Sequence, residues 1–391
     1  MSAAGAGVES FTIGLPENGL RDLRARLRLS RFPEQIAGSG WTYGADIEYL
    51  KALVAYWADG FDWRAEERKL NAFHHYRASV DGCRIHFIHE RGAGPQPTPL
   101  LMLHGWPSSF IQFAKIIPLL THPAAHGAPR APSFDVIVAA LPGFAFSEAP
   151  LQPGFAARAI AERLTKLMTD VLGYRRFGVR GSDIGGSVAQ QMALGQPDRL
   201  LGLHVSGLLR GVPLQGDGPS SAGEETFFRD LAKWTATEMG YASVQAQSPQ
   251  TVAVGLNDSP AGLAAWILEK FRKWADTHGD IESRFTRDEL LTNLTLYWAT
   301  QSIASSVRLY YEFGREQRLQ GRVTVPTAVL MAEHDMVPVP REVSARLYDI
   351  VRWNSTPVGG HFLEWEEPEL VAADLRAFFG ERLASGGDTP S

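Results

Sequence analysis

Four short apolar runs, Leu100–Leu103, Phe134–Leu141, Phe177–Arg180 and Leu200–Val205, alternate with segments of helical spacing, and this alternation leaves few folds open. Such largely apolar strands, separated by helices, are covered on both faces. They predict a mainly parallel sheet flanked by helices. Phe155–Leu172 and a stretch from Gly186 to Leu194 supply helices between the strands. The alternation then breaks. Residues 211–223 are rich in Gly, Pro and Ser, and Glu224–Leu319 shows helical stretches (Thr226–Met239, Leu263–Ala275, Glu289–Glu312) without a good strand. Strand character returns at Val323–Met331, followed by a helix over Arg341–Tyr348, a short strand over Asp349–Trp353 and a last helix over Pro368–Phe379. An α/β core interrupted by an all-helical insertion accounts for this order.

Upstream of the core, Leu20, Leu23, Leu27 and Leu29 mark an apolar face in an Arg-rich run, and Ile47, Leu50, Leu53, Val54 and Trp57 mark a second helix. Tyr76–Val80 and Arg84–His89 flank Asp81-Gly82, a hairpin signal. The expected division is an N-terminal helical region over 1–75, a first core part over 76–210, a lid over 211–320, a second core part over 321–383 and a disordered tail over 384–391.

Charge excludes two classes of partner. Lys+Arg 38 against Asp+Glu 43 gives a formal net charge of −5, with no long basic run, so nucleic acid and anionic membranes are not expected ligands. No stretch approaches the ~18 apolar residues of a membrane span, and Met1–Ser10 lacks the basic and apolar regions of a signal peptide. The single cysteine, Cys83, excludes an internal disulfide and a Cys-based zinc site. A soluble cytoplasmic protein is the expectation.

Gly181-Ser182-Asp183-Ile184-Gly185 sits where a strand should turn sharply into a helix. A nucleophile elbow needs small residues two before and two after the reactive side chain, because the backbones crowd there. Here the reactive position is Asp183, and a helix N-terminus would favour its ionised form. The plainer alternative is a Gly-rich turn with an Asp N-cap. Ser182 has the wrong flank spacing, and Ser187 would lie a turn into the helix. His104-Gly105-Trp106-Pro107 follows the first core strand, where α/β-hydrolases donate a backbone N–H to an oxyanion hole; Trp106 and Ile184, the residue after the nucleophile, would form the pair. Asp335 and Glu333, after the strand Val323–Met331, both qualify by type as the acid that orients a histidine. Gly359-Gly360-His361 offers that histidine, and the chain order nucleophile, acid, His matches the fold. Most of the 11 histidines fall on strands or in loops; the spaced pair His122 and His126 has no helix to present it to a metal.

These pieces resemble the microsomal-type epoxide hydrolases of the α/β-hydrolase superfamily, in a soluble form without the membrane anchor of the animal enzymes. The resemblance covers nearly the whole chain. Leu15-Pro16-Glu17, Arg31-Phe32-Pro33, Gly40-Trp41-Thr42-Tyr43-Gly44 and Phe61-Asp62-Trp63-Arg64 resemble that family's N-terminal region. Leu141-Pro142-Gly143-Phe144 with Phe146-Ser147, Gly255-Leu256-Asn257-Asp258-Ser259-Pro260, Leu268-Glu269-Lys270-Phe271, Gly359-Gly360-His361-Phe362 and Glu366-Glu367-Pro368 continue it. The resemblance implies an α/β-hydrolase fold with a mainly parallel central sheet, a helical lid and an N-terminal helical meander. It also implies two lid tyrosines that hydrogen-bond the epoxide oxygen: Tyr310, from Ser306-Val307-Arg308-Leu309-Tyr310, and Tyr241, from Gly240-Tyr241. Tyr297 and Tyr311 are expected to be packing residues. Asp335 holds the family's acid position, six residues before Arg341, with Glu333 as the fallback. The family often carries Trp where this chain has Ile184.

The implied reaction is attack of Asp183 on an epoxide carbon and hydrolysis of the resulting ester by water activated by His361. It needs neither cofactor nor metal. The expected partners are a small apolar or aryl epoxide and water, and a homodimer is the default assembly. The rivals are a haloalkane dehalogenase-like hydrolase, against which Ile184 and the paired tyrosines speak, and a non-catalytic ligand-binding homologue.

Overall fold

The computed structural model of this chain describes residues 7–206 and 221–385. Its strands are β1 (Val8–Phe11), β2 (His75–Val80), β3 (Cys83–Glu90), β4 (Thr98–Leu103), β5 (Phe134–Ala139), β6 (Phe177–Ser182), β7 (Leu200–Ser206), β8 (Val323–Ala332) and β9 (Tyr348–Thr356). They form one sheet in the order β1-β2-β3-β5-β4-β6-β7-β8-β9. The first four in that order pair antiparallel, and every later pair is parallel. Every residue of β4, β5 and β6 is buried, including Asp135 on β5 and Arg180 on β6, the mark of strands covered on both faces.

Three helices precede the core: α1 (Glu17–Arg28), α2 (Ile47–Asp59) and α3 (Trp63–Leu70). Leu20, Leu23 and Leu27 are buried along α1, and Leu50, Leu53, Val54 and Trp57 along α2. Each such side chain contributes on the order of 1.5–3 kcal/mol relative to exposure. Core helices α4 (Ile117–Thr121), α5 (Ala157–Lys166) and α6 (Asp183–Gly195) cover the first half of the sheet. The lid comprises α7 (Ala222–Glu238), α8 (Gly240–Gln247), α9 (Pro249–Asp258), α10 (Pro260–Trp274), α11 (Arg287–Ala299) and α12 (Ser302–Phe313). Then α13 (Arg341–Ser344), α14 (Leu363–Glu366) and α15 (Pro368–Ser385) complete the core. Trp57 Nε1 donates to Thr295 Oγ1 on α11 at 2.9 Å, so the N-terminal region clasps the lid as well as the sheet.

The hairpin forms as its sequence predicts: Asp81 and Gly82 take φ of 47° and 74°, the paired positive values of a two-residue turn that follows the strand twist. Several expectations need correction. Leu29 is 79% exposed and caps α1 instead of extending its apolar face. The first segment also contains β1, whose short sequence, half-buried at Val8 and Phe11 and exposed between, carries no strand signal and owes its conformation to pairing with β2. The single helix expected over Glu289–Glu312 is two, broken where Gln301 adopts φ 55°. The helix expected over Arg341–Tyr348 stops at Ser344, because Tyr348 is buried and opens β9 opposite Val323. Helices α8 and α9 were not foreseen in the insertion. The last helix continues to Ser385, past the expected start of a disordered tail; residues 386–391, like 207–220, lie outside the described residues.

Buried histidines are a marked feature of this core. Arg180 NH1 lies 2.9 Å from His204 Nδ1, and Asp374 Oδ2 lies 2.9 Å from its Nε2. Arginine only donates, so Nδ1 accepts and Nε2–H donates: the ring is neutral. Burial lowers the pKa of His204, His104 and His89 to about 4 each, and depresses His75 and His86 as well. The unfolded chain takes up protons on its histidines near pH 6.5, whereas His204, His104 and His89 stay neutral in the folded chain until about pH 4. Stability should therefore fall as pH drops from 6.5 toward 4. Proton NMR should find these imidazoles still neutral at pH 5, with the thermal midpoint declining over the same window; a flat midpoint would contradict neutral burial.

Candidate active site

Strand β6 delivers the chain to Asp183, which takes φ 51°, a left-handed conformation that non-glycine residues seldom adopt. The turn throws the carboxylate clear of the sheet and starts α6 in one residue. Its neighbours must be small. A Cβ on Gly185 would run into the carbonyl oxygens of Leu103 and His104, and one on Gly105 into the Asp183 side chain. That contact brings the loop after β4 against the elbow, and Trp106 N–H donates to Asp183 Oδ1 at 3.0 Å. Ile184, 4% exposed, is the second residue of α6, in the turn whose N–H groups have no partner within the helix. Ser182 is buried at the end of β6, and Ser187 lies a turn into α6.

His361 lies between two carboxylates. Its Nδ1 is 2.9 Å from Asp335 Oδ1, and its Nε2 is 3.7 Å from Asp183 Oδ2. Burial opposes a charge on the ring, but Asp335 and Asp183 together outweigh it and raise the pKa to about 10. Glu333 is exposed, and its main chain continues the β8–β9 pairing through N–H to Thr356 O. Geometry therefore separates two carboxylates that chemistry alone does not.

The loop that carries His361 is stitched to the end of the lid helix α10. His361 N–H donates to Trp274 O at 2.8 Å, and Gly359 N–H to Asp276 Oδ2 at 3.1 Å. Glu366 accepts from the main chain on both sides of His361, Gly360 N–H at 3.0 Å and Phe362 N–H at 2.9 Å, and from Asp276 N–H at 2.8 Å. Burial raises the Glu366 carboxyl to about 7. Sequence reasoning missed the parts played by Asp276 and Glu366; the Glu366-Glu367-Pro368 motif was the one available signal.

The lid tyrosines meet over Trp106. Tyr241 stacks on the Trp106 ring with centroids 5.4 Å apart, Tyr310 meets it edge-on at 5.8 Å, and the two phenol rings are 5.8 Å from each other. Trp274 joins this cluster to His361, 5.4 Å away. Tyr297 O–H donates to Ser108 O at 2.8 Å, and Tyr311 is half-buried beneath Arg315, so both pack elsewhere. His126 ends a short turn beginning at Pro123, and among the described residues no group of three or more His, Cys, Asp or Glu side chains is placed to hold a metal ion. No described helix is long and apolar enough to cross a membrane.

The chain matches the family described as epoxide hydrolase N terminus over residues 8–113 and the alpha/beta hydrolase fold over residues 98–368. A relative from Stigmatella aurantiaca is 38% identical over 97% of this chain and 86% of its own length. Epoxide hydrolase 1 of Oryctolagus cuniculus is 35% identical over 95% of this chain and 89% of its own. The crystal structure of juvenile hormone epoxide hydrolase from the silkworm Bombyx mori superposes with a TM-score of 0.84 at 33% identity, covering 97% of this chain and 95% of that one.

The electrostatics of His361 generate a test. The folded chain holds its proton to about pH 10 and the unfolded chain only to about 6.5, so its stabilisation is complete below pH 6.5 and is lost as pH rises toward 10. Asp335→Asn should lower the His361 pKa seen by NMR and slow turnover strongly, whereas Glu333→Gln should leave both nearly unchanged. The reverse ranking would move the orienting acid to Glu333.

Proposed function

The chain belongs to the epoxide hydrolases of the α/β-hydrolase fold, enzymes that convert an epoxide to a vicinal diol, and from that premise we propose that Asp183, His361, Asp335, Tyr241 and Tyr310 carry the reaction. The observation that supports this reading most directly is the placement of His361, bonded to Asp335 and facing Asp183, under a pair of tyrosines packed on the residue that donates to Asp183.

Asp183 attacks an epoxide carbon through one carboxylate oxygen. The C–Oδ bond forms as the ring C–O bond breaks, and the ring oxygen gains charge. Tyr241 and Tyr310 hydrogen-bond that oxygen and supply its proton. Alkylation removes the negative charge of Asp183, one of the two that keep His361 protonated, so the imidazole's pKa falls. The proton it sheds balances the one taken up by the alkoxide, and a neutral base now stands beside the ester. His361 then removes a proton from water, and the hydroxide attacks the Asp183 carbonyl carbon. The N–H groups of Trp106 and Ile184 hold the oxyanion; as it collapses the ester C–O bond breaks, the departing alkoxide takes the proton of the hydroxyl that hydroxide brought, the diol leaves, and ionised Asp183 and protonated His361 are restored. The aromatic walls contributed by Trp106, Trp274 and the two tyrosines favour a small apolar or aryl epoxide.

The two steps can be separated. With styrene oxide, His361→Gln should still alkylate Asp183 but fail to release the diol, leaving an adduct one substrate mass heavier by intact-mass spectrometry; wild-type turnover would refute the role of the base. Tyr310→Phe should slow alkylation in single-turnover kinetics by up to about 10²–10³, less if Tyr241 compensates, with ester hydrolysis unaffected. Unchanged alkylation would remove Tyr310 from the donor pair.

A further inference from the structure

Lys270 lies in the lid helix α10 and is 4% exposed. Lysines are seldom buried to this extent without partners. Its ammonium pairs with Glu269 at 2.6 Å and sits over the ring of Tyr241, 4.7 Å from the centroid, with the Trp274 ring 5.9 Å away. A cation over an aromatic face is attracted to the ring's negative face. That attraction grows as a phenol gives up its proton, because the ring then carries part of the phenolate charge. The ammonium therefore favours the proton-poor form of Tyr241 over the protonated one.

We propose that Lys270 is a positioning residue for epoxide opening: it acts through Tyr241, making that phenol a stronger proton donor to the epoxide oxygen. The inference rests on the role assigned to Tyr241 in the preceding section. In the step concerned, the Tyr241 O–H proton passes to the oxygen as the ring C–O bond breaks and the Asp183 ester forms; the proton shed by His361 returns to Tyr241 through solvent. The other titratable groups near the pair are Glu269 and Lys273 on α10, Glu238 on α7 and Tyr310 on α12, with Asp183 and His361 on the core side.

The test is single-turnover alkylation by styrene oxide across pH. Lys270→Met should slow alkylation at pH 7 by roughly 3- to 30-fold and leave ester hydrolysis unchanged. It should also move the alkaline limb of the alkylation profile to higher pH, since a less acidic phenol keeps its proton longer. A purely structural loss would not pair a slower rate with an upward limb. Lys270→Arg should restore most of the rate, and fluorotyrosine at position 241 should rescue Lys270→Met by making the phenol more acidic. In a Tyr241→Phe background, Lys270→Met should have no further effect. Should Lys270→Met not fold, Lys270→Gln keeps a polar group there while removing the charge and carries the same expectations. Wild-type alkylation in the charge-removed variant, beside a slow Tyr241→Phe, overturns this inference alone. Equal slowing in the Tyr241→Phe background also overturns it. Wild-type alkylation in Tyr241→Phe overturns the assignment of Tyr241 and, with it, the role of Lys270.

Discussion

The approach of two backbones, Asp183–Gly185 at the elbow and Leu103–Gly105 after β4, governs the rest of the site. There is no room between them for a single methyl group at Gly105 or Gly185. The parallel register of β4 and β6, with Leu103 opposite Gly181, ends both strands at the same height. The elbow and the loop therefore emerge together, and Trp106 N–H reaches the Asp183 carboxylate. Ligand sites in α/β folds gather at the carboxyl ends of the strands for this geometric reason. The positive φ of Asp183 is sustained because packing on both sides over-determines it.

Beneath this contact lies a buried polar network that ties the same parts together. Arg180, fully buried on β6, donates through Nε to Glu364 at 2.7 Å, through NH1 to His204 and through NH2 to Ser206. The other oxygen of Glu364 accepts from Gln112, which in turn is bonded by Ser108 from the loop beside Trp106. A charged pair in such a place is tolerated only when nearly every donor and acceptor is satisfied, and removing one partner costs about 3–5 kcal/mol. The network adds rigidity where hydrophobic packing alone would allow sliding. It makes the elbow, the loop after β4 and α14 a single unit, and α14 ends at Glu366, which grips the main chain around His361.

The lid is bound to the core beside His361. Trp274 O and the Asp276 side chain hold the main chain of residues 359–361, while the Trp274 ring packs on both His361 and Tyr241. His361 and Tyr241 are thus both fixed by one short segment of α10 and its C-terminus. Charge is concentrated at the same place: two carboxylates favour a proton on His361, and a buried ammonium lies over the Tyr241 ring.

The alternation of apolar strands and helices, the hairpin and the elbow were all legible in the sequence, because each is a local requirement written in residue types. Strands buried on both faces are mainly apolar, a two-residue hairpin needs positive φ at both positions, and a crowded turn needs glycine. The ordered set Asp183, Asp335, His361 was visible for the same reason, since each member follows a strand. Other features were decided only by tertiary structure. β1 has no apolar run of its own and is a strand because β2 lies beside it. Asp335 and Glu333 share one chemistry and lie two residues apart; the β8–β9 pairing holds the main chain at Glu333, whose side chain is exposed, while the turn that follows brings Asp335 to His361. The grip of Glu366 on the base loop and the position of Lys270 over Tyr241 are likewise products of packing. They join residues by distance in space, and nothing in the spacing or type of either partner specifies the other.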